Sequence, residues 1–346
     1  GRGGQRPSPG PGQRVAYVRL DTGLKAGLEH HGVEVIPYPL DEALTFYVSI
    51  FDAAREAGVI AADQHNAIGF ASQASLPIIL NTKPDAVIAV SAHNWHMSIP
   101  ALLKGLRQQL GIGPIAAYFT ESPYFAIEHE IAPAYDVIFT NERNAVRAFD
   151  HPNVHYLAHA FNPAVHHPGP ADPERACDVF YVGSGFQERK ELFRGVDWAG
   201  IHSITRGFLW EAVDGAADEN DMVPNEETAI YYRSAAISLN HHRTTTSYNA
   251  RTHIPAGAAA SLNPRAYEIA ACGAFQLMDD SRAEAKDVFG ESLATYRADD
   301  SADLTRQIRY YLAHDRERWE LAAAQHAAVQ PHSWAARAAQ ILEVLS

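Results

Sequence analysis

Short runs of β-branched and aromatic residues alternate with longer stretches of helical pattern along most of the chain. This alternation is typical of βαβ units, which build parallel sheets covered by helices. The runs at 86–90 and 115–119 are almost entirely apolar, as expected of strands that helices cover on both faces. We therefore predict an α/β fold with doubly wound sheets.

The same pattern gives approximate bounds for the elements. Strands are predicted at residues 14–20, 33–37, 86–91, 115–119 and 137–140, and in the second half at 178–182, 202–205, 236–240, 274–278 and 293–296. Helices are predicted at residues 23–31, 65–80, 100–110, 124–132 and 142–149, and then at 188–193, 226–233, 264–272, 302–314, 316–329 and 333–345.

A length of 346 residues suits two domains. The composition changes at 162–176, where prolines are frequent and large apolar residues are few, so we expect a linker there. The predicted organisation is a flexible Gly/Pro/Arg-rich tail at 1–13, a first domain at 14–161, the linker, a second domain at 177–330, and a C-terminal helix at 331–346 that can cross back to the first domain. We expect two Rossmann-like domains facing a central cleft, since ligands bind at the carboxyl ends of such strands.

Charge and cysteine content exclude several classes of protein. The 28 Lys and Arg residues against 41 Asp and Glu residues give a net charge of −13, which disfavours non-specific binding to nucleic acid. Two cysteines, far apart, exclude a disulfide scaffold and a cysteine-based zinc motif. No apolar run is long enough to span a membrane. We therefore predict a cytoplasmic protein.

A helix that starts with proline carries the sharpest local signal. Asn263 and Pro264 fit its cap and first turn, and Gly273 fits its end. Arg265 and Glu268 then share one face of this helix. They form either a surface ion pair or a ligand site, in which Glu268 binds hydroxyl groups and Arg265 lies near a phosphate.

A glycine turn follows the first predicted strand of the second domain. Gly183, Ser184 and Gly185 lead directly into a helix that carries Arg189. Glycines allow close approach to the backbone, and the N-terminus of a helix favours anions. The turn is either part of an anion site or a purely structural connection between strand and helix.

His241, His242 and Arg243 follow a later predicted strand. Arg243 is a planar donor that suits a diphosphate. The two histidines suggest a metal site, but the sequence supplies no third ligand at any motif spacing, so we predict no metal.

In the first domain, His93 and Glu121 each follow a predicted strand. Either can serve as a general base, and the alternative is that both only cap helices.

Several segments resemble the CgeB-like, spore-maturation-type glycosyltransferases of the GT-B superfamily. They read YFTESPY (118–124), YDVIFTNERNAV (135–146), DVFYVGSGFQERKELF (178–193) and SLNPRAYEIAACGAFQLMDD (261–280). The resemblance covers nearly the whole chain after the tail and is most specific in the last of these segments.

The resemblance implies a GT-B fold, with the donor nucleotide on the second domain and the acceptor mostly on the first. Glu268 matches the carboxylate that binds the donor ribose, and Arg243 and Arg265 are expected near the diphosphate. Many retaining enzymes of this fold have a second glutamate eight residues earlier, where this chain has Ala260. The resemblance therefore leaves the stereochemical outcome open.

The expected function is metal-independent transfer of a sugar from a nucleoside-diphosphate sugar to an acceptor hydroxyl. The donor would be linked to UDP, GDP or TDP. Gly183, Ser184, Gly185, Arg189, Arg243, Asn263, Arg265 and Glu268 would bind it, and His93 or Glu121 would activate the acceptor. A sugar-nucleotide epimerase and a non-catalytic nucleotide-binding protein remain alternatives. The acceptor would be a glycan, a protein, a small molecule or a modified DNA base.

Overall fold

A computed structural model describes residues 14–18, 22–61, 66–123, 126–210, 223–243 and 259–345. The predicted tail at 1–13 lies outside these residues. The chain forms two compact units: residues 1–157 together with 334–346, and residues 158–333. The first break lies within five residues of the predicted end of the first domain.

The first unit contains a sheet of six strands in the order β2-β1-β3-β4-β5-β6, and every pair of neighbours is parallel. Its strands are β1 (Arg14–Val18), β2 (Glu34–Tyr38), β3 (Ala86–Val90), β4 (Ile115–Phe119), β5 (Val137–Thr140) and β6 (Val154–Tyr156). Its helices are α1 (Thr22–His30), α2 (Leu40–Glu56), α3 (Ala67–Gln73), α4 (Leu76–Thr82), α5 (Ser98–Leu110), α6 (Ile127–Ile131) and, at the end of the chain, α13 (Trp334–Val344).

Burial in this sheet follows the sequence pattern closely. Every residue of β3 and β4 is buried, as their apolar composition predicts.

The helix predicted at 142–149 is present only as a short 3₁₀ turn, Arg143–Ala145, which Glu142 caps by accepting a hydrogen bond from the backbone N–H of Asn144. The sequence pattern also missed α2 and the half-buried edge strand β6.

The second unit contains five parallel strands in the order β11-β10-β9-β7-β8. They are β7 (Cys177–Val182), β8 (Ser203–Arg206), β9 (Ala235–Asn240), β10 (Gln276–Asp279) and β11 (Ala294–Tyr296). The helices are α7 (Gln187–Arg194), α8 (Asn225–Ser234), α9 (Pro264–Ala271), α10 (Glu284–Phe289), α11 (Ser301–Leu312) and α12 (Asp315–Val329).

Apolar side chains cover both faces of this second sheet. One cluster includes Val179, Ile237 and Leu277, and another includes Phe180 and Ile269. Adjacent residues of β7 thus contribute to opposite layers, as the alternation of side chains along a strand requires. Both sheets are therefore covered on two sides, and the doubly wound α/β prediction is confirmed.

The segment predicted as a linker packs onto the second unit. His166 is buried, and Val165 contacts the cluster around Phe180. The backbone N–H of Asp172 donates to the Ser234 hydroxyl at 2.8 Å. The segment is therefore attached to the rest of the second unit at several points.

Helix α13 packs against α1 in the first unit. The carbonyl of Ala335 lies 2.8 Å from His31 Nε2. Gly27 makes this packing possible, because a Cβ atom there would lie 2.4 Å from the carbonyl oxygen of Trp334. Throughout the described ranges, every helix is too short or too polar to cross a lipid bilayer.

Candidate functional site at the carboxyl edge of the second sheet

The strand order of the second unit marks one position on its carboxyl edge. β7 and β9 are neighbours, yet the chain leaves β7 for β8 on one side and returns to β9 on the other. Such a reversal opens a crevice at the strand ends, where doubly wound folds bind their ligands. Among the predicted donor residues, Gly183–Gly185 follow β7 directly, and Arg243 lies three residues after the end of β9.

Arg265 joins the two strand ends across this position. Its Nη1 donates to the carbonyl of Val182 at 2.6 Å, and its Nη2 donates to the carbonyl of His241 at 2.9 Å. Its Nε donates to Asn240 Oδ1 at 3.2 Å. The guanidinium also lies over the ring of Tyr181. Arg265 is thus held in place by the protein itself, and its side chain remains half-buried.

Arg189, on the first turn of α7, reaches the same carbonyl. Its Nη2 donates to the His241 carbonyl at 3.0 Å, and its Nη1 donates to the Ser184 carbonyl at 2.8 Å. Its Nε is buried and has no hydrogen-bond partner in the described part of the chain. The side chain is only 4% exposed, and burial lowers the pKa of its guanidinium.

Two guanidinium groups therefore meet at one backbone oxygen. Within the described ranges, the hydrogen bonds of Arg189 and Arg265 go to carbonyls and an amide, and neither forms an ion pair with a carboxylate. Glu188 attracts Arg189 electrostatically, whereas Arg265 and Arg243 repel it. Buried cations without a bonded carboxylate are costly, so this edge favours an incoming anion.

The glycine turn is closely packed. Gly183 has a φ of +146°, and a Cβ atom there would lie 2.3 Å from Nη1 of Arg265. A Cβ atom at Gly185 would lie 2.5 Å from the carbonyl oxygen of Leu209. The N–H of Gly185 donates to the Phe208 carbonyl at 2.7 Å. The close approach that these glycines permit is therefore to neighbouring protein atoms.

Asn263 is the N-cap of α9, as predicted, and its side chain also fixes the position of the helix. Its Oδ1 caps the helix by accepting from the N–H of Ala266 at 3.1 Å. The same oxygen accepts from Asn240 Nδ2 at 3.1 Å, and Asn263 Nδ2 donates to Asn240 Oδ1 at 2.8 Å. Gln276 completes the network by accepting from Asn240 Nδ2 at 2.9 Å. This network orients the start of the helix that carries Arg265 and Glu268.

The remaining predicted donor residues lie at the same edge. Glu268 is half-buried one turn after Arg265 on α9, and its charge acts on the buried hydroxyl of Tyr232, as does that of Arg265. Arg243 is half-buried, and its backbone carbonyl accepts a hydrogen bond from Arg282. The structure thus brings donor residues predicted from three separate segments, 183–189, 243 and 263–268, to one edge of one sheet.

Sequence reasoning missed the pairing of His242 with Asp279. Asp279 ends β10, and its Oδ2 accepts from the backbone N–H of His242 at 2.6 Å and from His242 Nδ1 at 2.8 Å. Its Oδ1 accepts from the N–H and the hydroxyl of Ser281. Burial alone would raise the pKa of Asp279, but His242 and the other donors outweigh it and hold the pKa well below its usual range.

His241 and His242 point to different partners. His241 Nδ1 lies 2.9 Å from the hydroxyl of Tyr296, and burial lowers the pKa of His241 to about 3. Burial also lowers the pKa of His242, although Asp279 opposes the shift. No three His, Cys, Asp or Glu side chains in the described part of the chain are grouped as metal ligands.

His93 and Glu121 follow adjacent strands of the first unit. The register pairs Val90 of β3 with Tyr118 of β4, so the two residues lie three positions beyond one pair at the same edge. Beyond the strands, the hydroxyls of Ser91 and Thr120 lie 2.6 Å apart. Both His93 and Glu121 are half-buried. Their role as general bases stays a prediction.

Comparison with known proteins points to one enzyme class. Residues 185–343 match a family model described as glycosyl transferase-like. The chain is 25% identical over 235 residues to the spore protein CgeB of Bacillus subtilis strain 168. The aligned region covers 63% of this chain and 70% of CgeB. These matches agree with the resemblance that the sequence motifs indicated.

Solved structures share the fold at low sequence identity. Sucrose-phosphate synthase of Thermosynechococcus elongatus is 12% identical, with a TM-score of 0.62 over 95% of this chain and 97% of that one. Anabaena HepE in complex with UDP and glucose is 11% identical, with a TM-score of 0.58 over 96% and 99%. A putative UDP-N-acetylglucosamine 2-epimerase of Listeria monocytogenes is 12% identical, with a TM-score of 0.54 over 95% and 94%. The chain thus has the GT-B fold of these structures, and in sequence it is similar to a glycosyl transferase-like family and to CgeB.

Proposed function

We propose that the second unit binds a nucleoside-diphosphate sugar at the crevice between β7 and β9. The convergence of Arg189 and Arg265 on the His241 carbonyl, with no carboxylate of the described residues bonded to either, carries this proposal. In the proposed complex, the diphosphate lies beside Arg189, Arg265 and Arg243. Glu268 accepts hydrogen bonds from the ribose hydroxyls. Asn263 and the Gly183-Ser184-Gly185 turn hold the surrounding backbone in place.

The reaction proposed for this site is transfer to a hydroxyl group. The acceptor oxygen forms a bond to the anomeric carbon of the sugar while the bond from that carbon to the diphosphate breaks. Fixed positive charge stabilises the negative charge that develops on the leaving diphosphate, which is why the reaction needs no metal in this proposal. If the enzyme inverts, His93 or Glu121 takes the proton of the acceptor hydroxyl.

Uridine is the base to test first, because HepE shares the fold and its structure holds UDP and glucose. GDP and TDP are the other candidates. The candidate acceptors are a glycan, a protein, a small molecule and a modified DNA base. A cytoplasmic location stays a prediction from the low cysteine content.

Calorimetric titration of UDP, GDP and TDP into paired variants tests the donor site. We expect Arg265→Gln and Glu268→Gln each to weaken binding about tenfold or more, since a hydrogen bond to a charged group contributes about 1.5–3 kcal/mol. Arg316→Gln and Glu320→Gln are matched controls, because these two residues form an exposed ion pair on α12. The controls should bind as the wild type does.

Two results would contradict the proposal. One is the absence of binding by all three nucleotides. The other is unchanged affinity in folded Arg265→Gln and Glu268→Gln proteins. Because Arg265 also ties two strand ends together, thermal unfolding of each variant shows whether a loss of binding reflects a loss of structure. Product analysis separates a transferase, which consumes the sugar nucleotide, from an epimerase, which makes a new one.

A further inference from the structure

His242 is held in one orientation by a buried carboxylate. Asp279 is fully buried, and its Oδ2 contacts both the backbone N–H and the ring Nδ1 of His242. Since an ionised carboxylate only accepts hydrogen bonds, Nδ1 carries a proton in this contact. If the ring is neutral, its Nε2 is therefore the unprotonated nitrogen, with a lone pair available.

The other ring nitrogen lacks a hydrogen-bond partner among the described residues. His242 is 3% exposed, and its Nε2 is buried without a hydrogen bond in the described part of the chain. Buried polar atoms are almost always paired, so an orphaned one at a ligand edge suggests a partner from outside the protein. His242 directly follows the carbonyl at which Arg189 and Arg265 meet.

The charges that face His242 set which form of the ring is stable. Asp279 on β10 favours the protonated form. Arg282, which follows β10, and Arg265 on α9 disfavour it, and so does burial, which is the largest effect. The neighbouring His241 is itself kept neutral by burial. In the free protein the balance leaves His242 neutral near pH 7.

A bound diphosphate would change this balance. It would bring negative charge beside Arg189 and Arg265, whose hydrogen bonds in the described ranges go to carbonyls and an amide, and it would offer phosphate oxygens as acceptors. The charge of Arg265, one of the two cations that disfavour protonation of His242, would then be compensated, while Asp279 would still stabilise the protonated ring. Both changes favour the imidazolium form, in which Nε2 becomes a donor.

We propose that His242 takes up a proton when a nucleoside diphosphate binds and donates Nε2–H to a phosphate oxygen, with Asp279 as the positioning residue. The inference rests on the proposed donor site. The proton comes from solvent on binding and returns to solvent when the free diphosphate leaves, so no covalent bond to His242 forms. Affinity for the diphosphate therefore falls as the pH rises through the pKa of the complexed ring, by up to about tenfold per pH unit for one proton.

Calorimetry in two buffers of different ionisation enthalpy measures the proton uptake directly. We titrate UDP, GDP, TDP and inorganic pyrophosphate into the full chain near pH 7. The wild type should take up a fraction of a proton approaching one per diphosphate bound. His242→Gln should still bind, several-fold more weakly, with no uptake. His166→Gln is the matched control, since His166 is also buried but lies in the segment before β7; it should take up protons as the wild type does.

Nitrogen NMR of the histidine side chains supplies a readout that does not depend on affinity. The His242 signals, assigned by their loss in His242→Gln, should show a protonated Nδ1 and an unprotonated Nε2 in the free protein. Both nitrogens should be protonated in the complex.

The outcomes separate this inference from the proposed function. Binding without proton uptake, uptake that persists in His242→Gln, or a ring already doubly protonated in the free protein overturns the inference and leaves the donor site standing. Failure of every diphosphate to bind overturns both.

Discussion

Buried histidines make the second unit sensitive to acid. His166 is 3% exposed, and burial, with the charges of Arg233 and His167, lowers its pKa from 6.5 to about 4. Between these two pH values the unfolded chain binds more protons than the folded one, so stability falls as the pH falls from 6.5 to 4. A shift of this size corresponds to about 3 kcal/mol.

Replacing His166 should remove its share of that acid sensitivity. We expect His166→Gln to flatten the decline in the free energy of unfolding between pH 7 and pH 4 by about 2–3 kcal/mol. Urea unfolding of both proteins at several pH values measures the two slopes. Some slope should remain in the variant, because the pKa of His241 is also lowered, to about 3. Equal slopes in the two proteins would show that His166 is not buried in its neutral form.

At the scale of residues, sequence reasoning found what local pattern encodes. Asn263 as a cap and Gly183 at a turn are readable from their immediate neighbours. The contact between His242 and Asp279 is not, because 37 residues separate them and they meet only where β9 and β10 are adjacent. The signal available in the sequence was two polar residues that each follow an apolar run, which gives the edge of the sheet but not the pairing.

At the scale of elements, the start of α9 links stability to the donor site. The side chain of Asn263 caps the helix and pairs with Asn240, which in turn holds Arg265 Nε. A cap contributes about 1 kcal/mol, and leaving one N–H of the buried Asn240 amide without its Asn263 acceptor costs about 1–3 kcal/mol more. The same side chain thus stabilises the helix and orients the guanidinium.

Replacing this cap should therefore have two effects. We expect Asn263→Ala to lower the free energy of unfolding by about 2–4 kcal/mol and to weaken UDP binding at least several-fold. Asp300→Ala is the control, because Asp300 caps α11 through the N–H of Asp303; it should cost about 1 kcal/mol and leave UDP binding unchanged. Chemical denaturation and calorimetry measure the two quantities. Normal UDP affinity in a folded Asn263→Ala protein would separate the cap from the site.

Strands and helices were predicted well where both faces of the element are buried, and poorly where burial is partial. β4 and β5 match their predicted bounds because nearly all of their residues are apolar. β6 has three half-buried residues, too few for a pattern. The middle of α2, residues 45–51, is rich in aromatic and β-branched residues, which favour a strand, yet it lies within a helix of 17 residues. Tertiary packing decides such segments.

At the scale of the whole molecule, the second unit is built from one continuous stretch of chain, whereas the first unit is built from two. The second unit is a single stretch, 158–333, whose ends meet where the N–H of Phe161 donates to the His332 carbonyl at 3.2 Å. The first unit needs two stretches, because α13 packs on α1 and Trp334 is only 8% exposed. The first unit therefore includes a helix, α13, that is more than 170 residues away in sequence from the rest of the unit.

This difference predicts opposite behaviour for two fragments. The fragment 158–333 contains every contact described here for the donor site, so it should unfold cooperatively and bind the same nucleoside diphosphate as the full chain. The fragment 1–157 lacks α13, which leaves the apolar residues and close-packed glycines of α1 uncovered. It should fail to unfold cooperatively until a peptide of residues 334–345 is added. Circular dichroism during urea titration measures both. A fragment 1–157 that is stable by itself would show that α13 is dispensable, and an unfolded 158–333 would show that the second unit depends on the first.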